Sequence, residues 1–122
     1  QLTGSIPPEI WQLRKLTWLE LHDNKLTGSI PPEIGQLANL DYLHLGTNQL
    51  TGSIPPEIGQ LTDLERLSLH DNKLSGAVPP GIFNLTRLTS LRLSGNNLSG
   101  PFPNKSGNLC IHSIGIPDYG IC

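Results

Sequence analysis

Apolar residues return along this chain with a fixed beat. Leu16, Leu19, Leu21, Leu26, Ile30, Ile34 and Leu37 are followed twenty-four positions later by Leu40, Leu43, Leu45, Leu50, Ile54, Ile58 and Leu61, and then by a third such set from Leu64 to Leu85. Asn24, Asn48, Asn72 and Asn96 keep the same interval, as do Gly28, Gly52, Gly76 and Gly100. A period of this size over most of a chain predicts a stack of like units, each too small to close a core alone. Within a unit, Leu16 to Leu21 alternates, with Leu19 and Leu21 directed inward and Trp18, Glu20 and His22 outward. That period of two predicts one short, half-buried parallel strand per unit.

The rest of the unit is punctuated by breakers. Thr-Gly-Ser-Ile-Pro-Pro-Glu-Ile occurs verbatim from positions 3, 27 and 51. Its glycine permits a backbone angle that a Cβ disfavours, and Pro-Pro bars a regular helix. A second short strand is expected near Thr-Gly-Ser-Ile, with 3₁₀ or helical turns around 32–37, 56–61 and 80–85. Each repeat asparagine turns the chain off its strand, and its amide is expected to bond backbone groups of its own and neighbouring coils.

The unit Leu-x-x-Leu-x-Leu-x-x-Asn-x-Leu-x-Gly-x-Ile-Pro-Pro-x-Ile-Gly-x-Leu, clearest from Leu40, resembles the leucine-rich repeat in its twenty-four-residue form. The Leu26-Thr27-Gly28-Ser29-Ile30-Pro31 segment and its copies resemble the plant-specific subclass found in receptor-kinase ectodomains and polygalacturonase-inhibiting proteins. The resemblance implies an α/β solenoid, a right-handed coil with one parallel β-sheet on its concave face and short 3₁₀ or helical turns on its convex face. It also implies recognition of a protein, peptide or glycan, without catalysis or cofactor. The expected organisation is one domain over 1–122: a partial first repeat from residue 1, four repeats over about 13–108 and a C-terminal cap over about 105–122. A purely structural stack with no ligand of its own is the alternative.

Cys110 and Cys122 are the only cysteines, in a tail that resembles the C-terminal cap of plant repeat proteins, where a small loop-rich cap covers the last coil and no further strand exists. A disulfide between them is what the resemblance implies, and with it an oxidising, extracellular or cell-surface location. Asn84, Asn97 and Asn104 each open an Asn-x-Ser/Thr sequon, which fits a secreted product. Asn97 also falls on repeat consensus. The first unit lacks the cysteine-bearing cap of extracellular relatives, and Trp11 stands where later copies have Gly35 and Gly59. Two readings stay open: Trp11 as a partial cap, or residues missing upstream of Gln1. An uncapped first coil would also be a place for self-association.

Eight Lys and Arg against ten Asp and Glu, without a basic run, argue against nucleic acid or an anionic membrane as partner. No apolar stretch reaches the roughly 18 residues of a membrane span. Function is therefore sought on the open face of the sheet, where the outward residues differ between units while the framework repeats. One column runs Trp18, Tyr42, Arg66 and the next Glu20, His44, Ser68, Arg92, with Asp41 and Glu65 on one side and His22 and His70 on the other. Trp18, Tyr42 and Arg66 are suited to stack on a sugar or hold a peptide side chain. Glu20, His44 and Ser68 have the order of an orienter, base and nucleophile, but an open sheet offers no oxyanion donors. His22 and His70 are two strands apart, about 9.6 Å, too far to share a metal unaided. Four strands of five residues project roughly 300 Å², against about 800 Å² per partner in a standard interface. Rows of Thr3, Thr27, Thr51, Ser75 and Ser99, with Ser5, Ser29 and Ser53, raise ice binding as a minor alternative, an activity some plant leucine-rich proteins have.

Overall fold

The computed structural model describes residues 1–99 and the backbone of Cys110–His112. Asn104, Cys122 and the side chain of Cys110, and with them the expected disulfide and one sequon, lie outside the described residues. The chain coils as a solenoid. Among the described residues its concave face is one parallel sheet of five strands, β2 (Trp18–Glu20), β4 (Tyr42–His44), β5 (Arg66–Ser68), β7 (Ser90–Arg92) and β9 (Cys110–His112), in that spatial order. Two small parallel pairs lie on a flank: β1 (Thr3–Ser5) with β3 (Lys25–Thr27), and β6 (Ser75–Ala77) with β8 (Asn97–Ser99). The fifth concave strand comes from the tail, where the sequence predicts a loop-rich cap without a strand.

Among the described residues the convex side carries four 3₁₀ turns, Pro8–Gln12, Pro32–Gln36, Pro56–Gln60 and Pro80–Asn84. Each begins at the second proline of its pair, where a missing N–H costs nothing because the first turn of a helix leaves its donors unpaired. Each ends at a leucine whose N–H bonds the preceding isoleucine carbonyl, as Leu37 does to Ile34 at 3.1 Å. In the middle coils a glycine lets successive turns close on one another. A Cβ at Gly35 would lie 3.1 Å from the Glu57 Cβ, and Gly59 packs against Gly81.

The first turn departs from this pattern. Trp11 occupies the glycine position, and the turn buries Trp11 to 3% exposure while Ile10, the counterpart of the fully buried Ile34, is only half-buried. A bulky ring cannot sit between closely packed turns, so it enters the core, with Ile10 partly buried against it. The leucines and isoleucines of the next coils, Ile34 through Leu69, are almost completely buried in one continuous core. Leu21, expected inward, is only partly buried, because it follows β2, the edge strand of the concave sheet.

Asparagines tie the coils together. Asn48 Oδ1 accepts from the Leu26 N–H at 3.0 Å, and its Nδ2 donates to the carbonyls of Leu21, Leu45 and Gly46. Asn72 repeats the arrangement one coil on, with Leu50, Leu45, Leu69 and His70, and Asn96 again with Leu74, Leu69, Leu93 and Ser94. Asn24 accepts from Leu2 and donates only to Leu21 and His22 of its own coil. The residue before each asparagine takes a left-handed angle: Asp23, Thr47 and Asp71 at φ 58°, 56° and 54°, and Gly95 at 70°.

Candidate functional site

The twenty-four-residue period becomes a straight register on the concave sheet. Trp18 pairs with Tyr42, Tyr42 with Arg66 and Arg66 with Ser90, while Glu20, His44, Ser68 and Arg92 line up two positions further along. The aromatic members touch. The Trp18 and Tyr42 rings lie 4.4 Å apart between centroids, tilted by 51°, and the Tyr42 ring meets His44 edge-on at 5.9 Å. Trp18 remains 56% exposed despite this packing. Burial, followed by the Glu20 carboxylate, raises the Tyr42 hydroxyl above its usual pKa, so it is a neutral donor at physiological pH.

Three imidazoles continue the row. His22 and His44 stack at 4.1 Å with planes 18° apart, and His44 meets His70 at 5.3 Å. The gap that sheet spacing leaves between His22 and His70 is thus filled by His44. Gly46 makes this possible: a Cβ there would collide with the His70 ring. Burial first, then the neighbouring His22, His70 and Arg92, lowers His44 to about 4. Burial and Arg92 also lower His70, against the opposing pull of Asp71 and Asp23.

His44 Nδ1 accepts a hydrogen bond from the Gly46 N–H at 3.2 Å. Its proton therefore sits on Nε2, so the neutral ring can neither be oriented through Nδ1 by Glu20 nor take a proton from Ser68 through Nε2. Stacked rings also turn their lone pairs away from a shared ion, and among the described residues no group of three His, Cys, Asp or Glu gathers as metal ligands. Ser68 and His70, read from sequence as open contacts, are buried at 5% and 8% exposure. The small hydroxyl side chain lies low between larger neighbours, and the imidazole folds over Gly46.

Two concavities flank the aromatic row. One of about 390 Å³ is lined by Tyr42, His44, Arg66, Ser68, Thr89, Ser90 and Arg92. The other, about 210 Å³, is lined by Trp18, Asp41, Tyr42, Glu65 and Arg66. The first is bordered by two arginines and the second by two carboxylates, with Tyr42 and Arg66 shared between them. Thr89 and Ser90 join the lining unannounced by the sequence, since small hydroxyl residues carry no chemical signature until a strand sets them beside arginines.

The repeat, the parallel concave sheet and the asparagine ladder agree with the family comparison, in which the leucine-rich repeat region matches residues 2–94 and a leucine rich repeat matches 87–109. The chain is a leucine-rich repeat protein of the plant type. Solved structures similar to it include the plant peptide hormone receptor RGFR1 in complex with RGF2 (48% identity, TM-score 0.81, 88% of this chain and 17% of that one). The Arabidopsis receptor kinase HAESA LRR ectodomain, in complex with an N-terminally extended IDA peptide hormone ligand, matches with 38% identity and TM-score 0.82 over 91% of this chain and 20% of that one. A plant ice-binding protein matches with 38% identity and TM-score 0.76, over 80% and 31%. This leucine-rich repeat chain therefore spans about a fifth of the length of those receptors. Among curated proteins, none matches it.

Proposed function

We propose that this leucine-rich repeat chain is a non-catalytic recognition module that holds an extended peptide, or a protein segment or glycan of like shape, across its concave sheet. The observation that carries the reading is the contiguous row of Trp18, Tyr42 and Arg66, side by side on adjacent strands with the tryptophan half open to solvent. Aromatic and arginine side chains in such a row supply most of the energy in typical recognition surfaces. Glu20, Asp41, Glu65 and Arg92 surround it with charge of both signs, the neutral His44 lies against Tyr42, and His22 closes one end. The peptide hormone complexes of the similar receptors support a peptide as ligand class. The similar HAESA structure, a receptor kinase ectodomain, also supports an extracellular setting, in which a Cys110–Cys122 disulfide and glycans on Asn84 and Asn97, both exposed in the structure, would belong.

Biolayer interferometry against secreted peptides, wall oligosaccharides and extracellular proteins tests this, with the Trp18→Ala/Arg66→Ala double variant beside the parent. The reading expects a ligand whose affinity falls at least tenfold in a double variant of unchanged urea midpoint. A ligand bound equally by both proteins would remove the concave row as the site.

A second reading rests on the flank. Register there pairs Ser5 with Thr27, Ser29 with Thr51 and Ser53 with Ser75, so hydroxyl residues of successive coils stand next to one another across two residue positions instead of in two separate rows. Ala77 beside Ser99 interrupts the series. Together with the ice-binding protein among the similar structures, this favours ice as a minor alternative. Shaped ice crystals at micromolar protein would support it, and unshaped discs would end it.

A further inference from the structure

We propose that the gap between the first and second convex turns is a binding site for a small amphipathic amine, a flat and mainly hydrocarbon body that carries a single protonated nitrogen. The gap follows from one residue. The 3₁₀ turns of the second and third coils, and of the third and fourth, lie closely against one another, whereas those of the first and second touch far less. Close approach needs glycine. A Cβ at Gly35 would lie 3.1 Å from both the Cβ and the carbonyl oxygen of Glu57, and one at Gly59 would lie 3.3 Å from the Gly81 Cα. Position 11 is the counterpart of Gly35 one coil earlier, and Glu33 is the counterpart of Glu57. Trp11 carries the Cβ that such an approach excludes. Its ring is anchored in the core, so the first turn stands off from the second. Between the two turns a cavity of about 450 Å³ remains. Sites for small molecules typically measure roughly 300–1,000 Å³.

The lining decides the class of occupant. Ile6, Pro8, Trp11 and Pro31 give the apolar part. Proline rings and a β-branched side chain lose little conformational freedom when a ligand covers them. The polar part is exposed: the amides of Gln12 and Gln36 and the carboxylate of Glu33. Among the described residues no Lys or Arg lies within ion-pairing distance of Glu33. An amine is the electrostatic complement of that carboxylate, whereas an acid or a phosphate would meet like charge there. An ammonium also has three donors, and the glutamine amide oxygens are acceptors for those that Glu33 leaves over. The site lies on the convex side, away from the concave sheet, and does not rest on the recognition reading. The next coil supplies an internal control, because Glu57 and Gln60 are the counterparts of Glu33 and Gln36 but belong to a closely packed pair of turns.

Tryptamine, 3-methylindole and indole-3-propionate are the probes, since they share a ring system and differ in charge. Each is titrated into ¹⁵N-labelled protein at neutral pH. Tryptamine should shift the amides of Trp11, Glu33 and Gln36 saturably and leave those of Glu57 and Gln60 in place. Its dissociation constant should lie about threefold or more below that of 3-methylindole, the ratio that one partly exposed ion pair supports, and indole-3-propionate should bind more weakly than either. Glu33→Gln should bring tryptamine to the affinity of 3-methylindole, and Glu57→Gln should change nothing. Trp11→Gly should let the turns close and remove binding of all three probes. That variant loses a core side chain and can fail to fold, so the Glu33→Gln comparison decides. Absence of saturation by tryptamine, equal affinity for tryptamine and 3-methylindole, or an amine preference that survives Glu33→Gln overturns the site. Tryptamine shifts confined to Tyr42 and Arg66 would place the amine on the concave sheet, overturning the convex site and leaving the recognition reading standing.

Discussion

Replacing Asn48 with leucine isolates the worth of one rung of the asparagine ladder. The side chain makes four bonds, yet its loss orphans one group. The Leu21 carbonyl keeps the Asn24 amide, the Leu45 carbonyl keeps the Asn72 amide and the Gly46 carbonyl keeps the Asp23 N–H. The buried Leu26 N–H has Asn48 Oδ1 as its acceptor and would lose it. An unsatisfied buried donor costs about 1–3 kcal/mol. With a urea dependence of about 1–2 kcal/mol per molar for a chain of this size, the midpoint should fall by roughly 1–2 M. Asn24→Leu is the control, because its acceptor bond goes to the exposed Leu2 N–H, which water can serve instead. Its cost should stay below about 1 kcal/mol. Urea unfolding of both variants, followed by circular dichroism, decides the matter. Equal losses at positions 24 and 48, or a loss at Asn48 under about 0.5 kcal/mol, would refute the accounting.

Other perturbations address separate parts of the structure. Gly46→Ala should expel the His70 imidazole and separate it from His44, seen as a large change in the His44 and His70 Cε1–H resonances with a small change in urea midpoint. Thr47→Asn should stabilise by about 0.5–1 kcal/mol, since a β-branched residue at φ 56° is strained where asparagine is tolerated, and a lower thermal midpoint would count against this. His44 and His70 are held below their unfolded values, so the unfolded chain binds protons more readily. Their contribution to stability is complete above about 6.5 and is lost as pH falls toward 4. Urea midpoints taken across that window should decline less in a His44→Gln/His70→Gln variant, and parallel declines would assign the acid sensitivity elsewhere.

How far the fold was legible depends on the range of the interaction involved. The period, the inward leucines and the proline pairs placed the coil and its 3₁₀ turns within a residue or so, because each is set by local geometry repeated four times. Columns on the concave face were equally accessible, since a twenty-four-residue period stacks position on position. The flank was not: its pairs step by twenty-two residues, as Ser5 with Thr27, so rows drawn at the repeat interval join the wrong hydroxyl groups. Nor did sequence show that Trp11 joins the core, which depends on how closely the next turn approaches. The imidazole stack was hidden for a similar reason. It needs the missing side chain of Gly46, and a glycine at an outward position looks like an empty place in the column until a neighbour occupies it.

The central claim, that a ligand lies on the concave sheet, is tested most directly by site-specific photocrosslinking. A benzophenone side chain is placed in turn at Ser90 beside the arginines, at Gln36 on the convex turns and at Ser53 on the flank. With a ligand found by interferometry, covalent capture should occur from position 90 and be absent from 36 and 53. Capture from 36 or 53 with none from 90 would contradict the account.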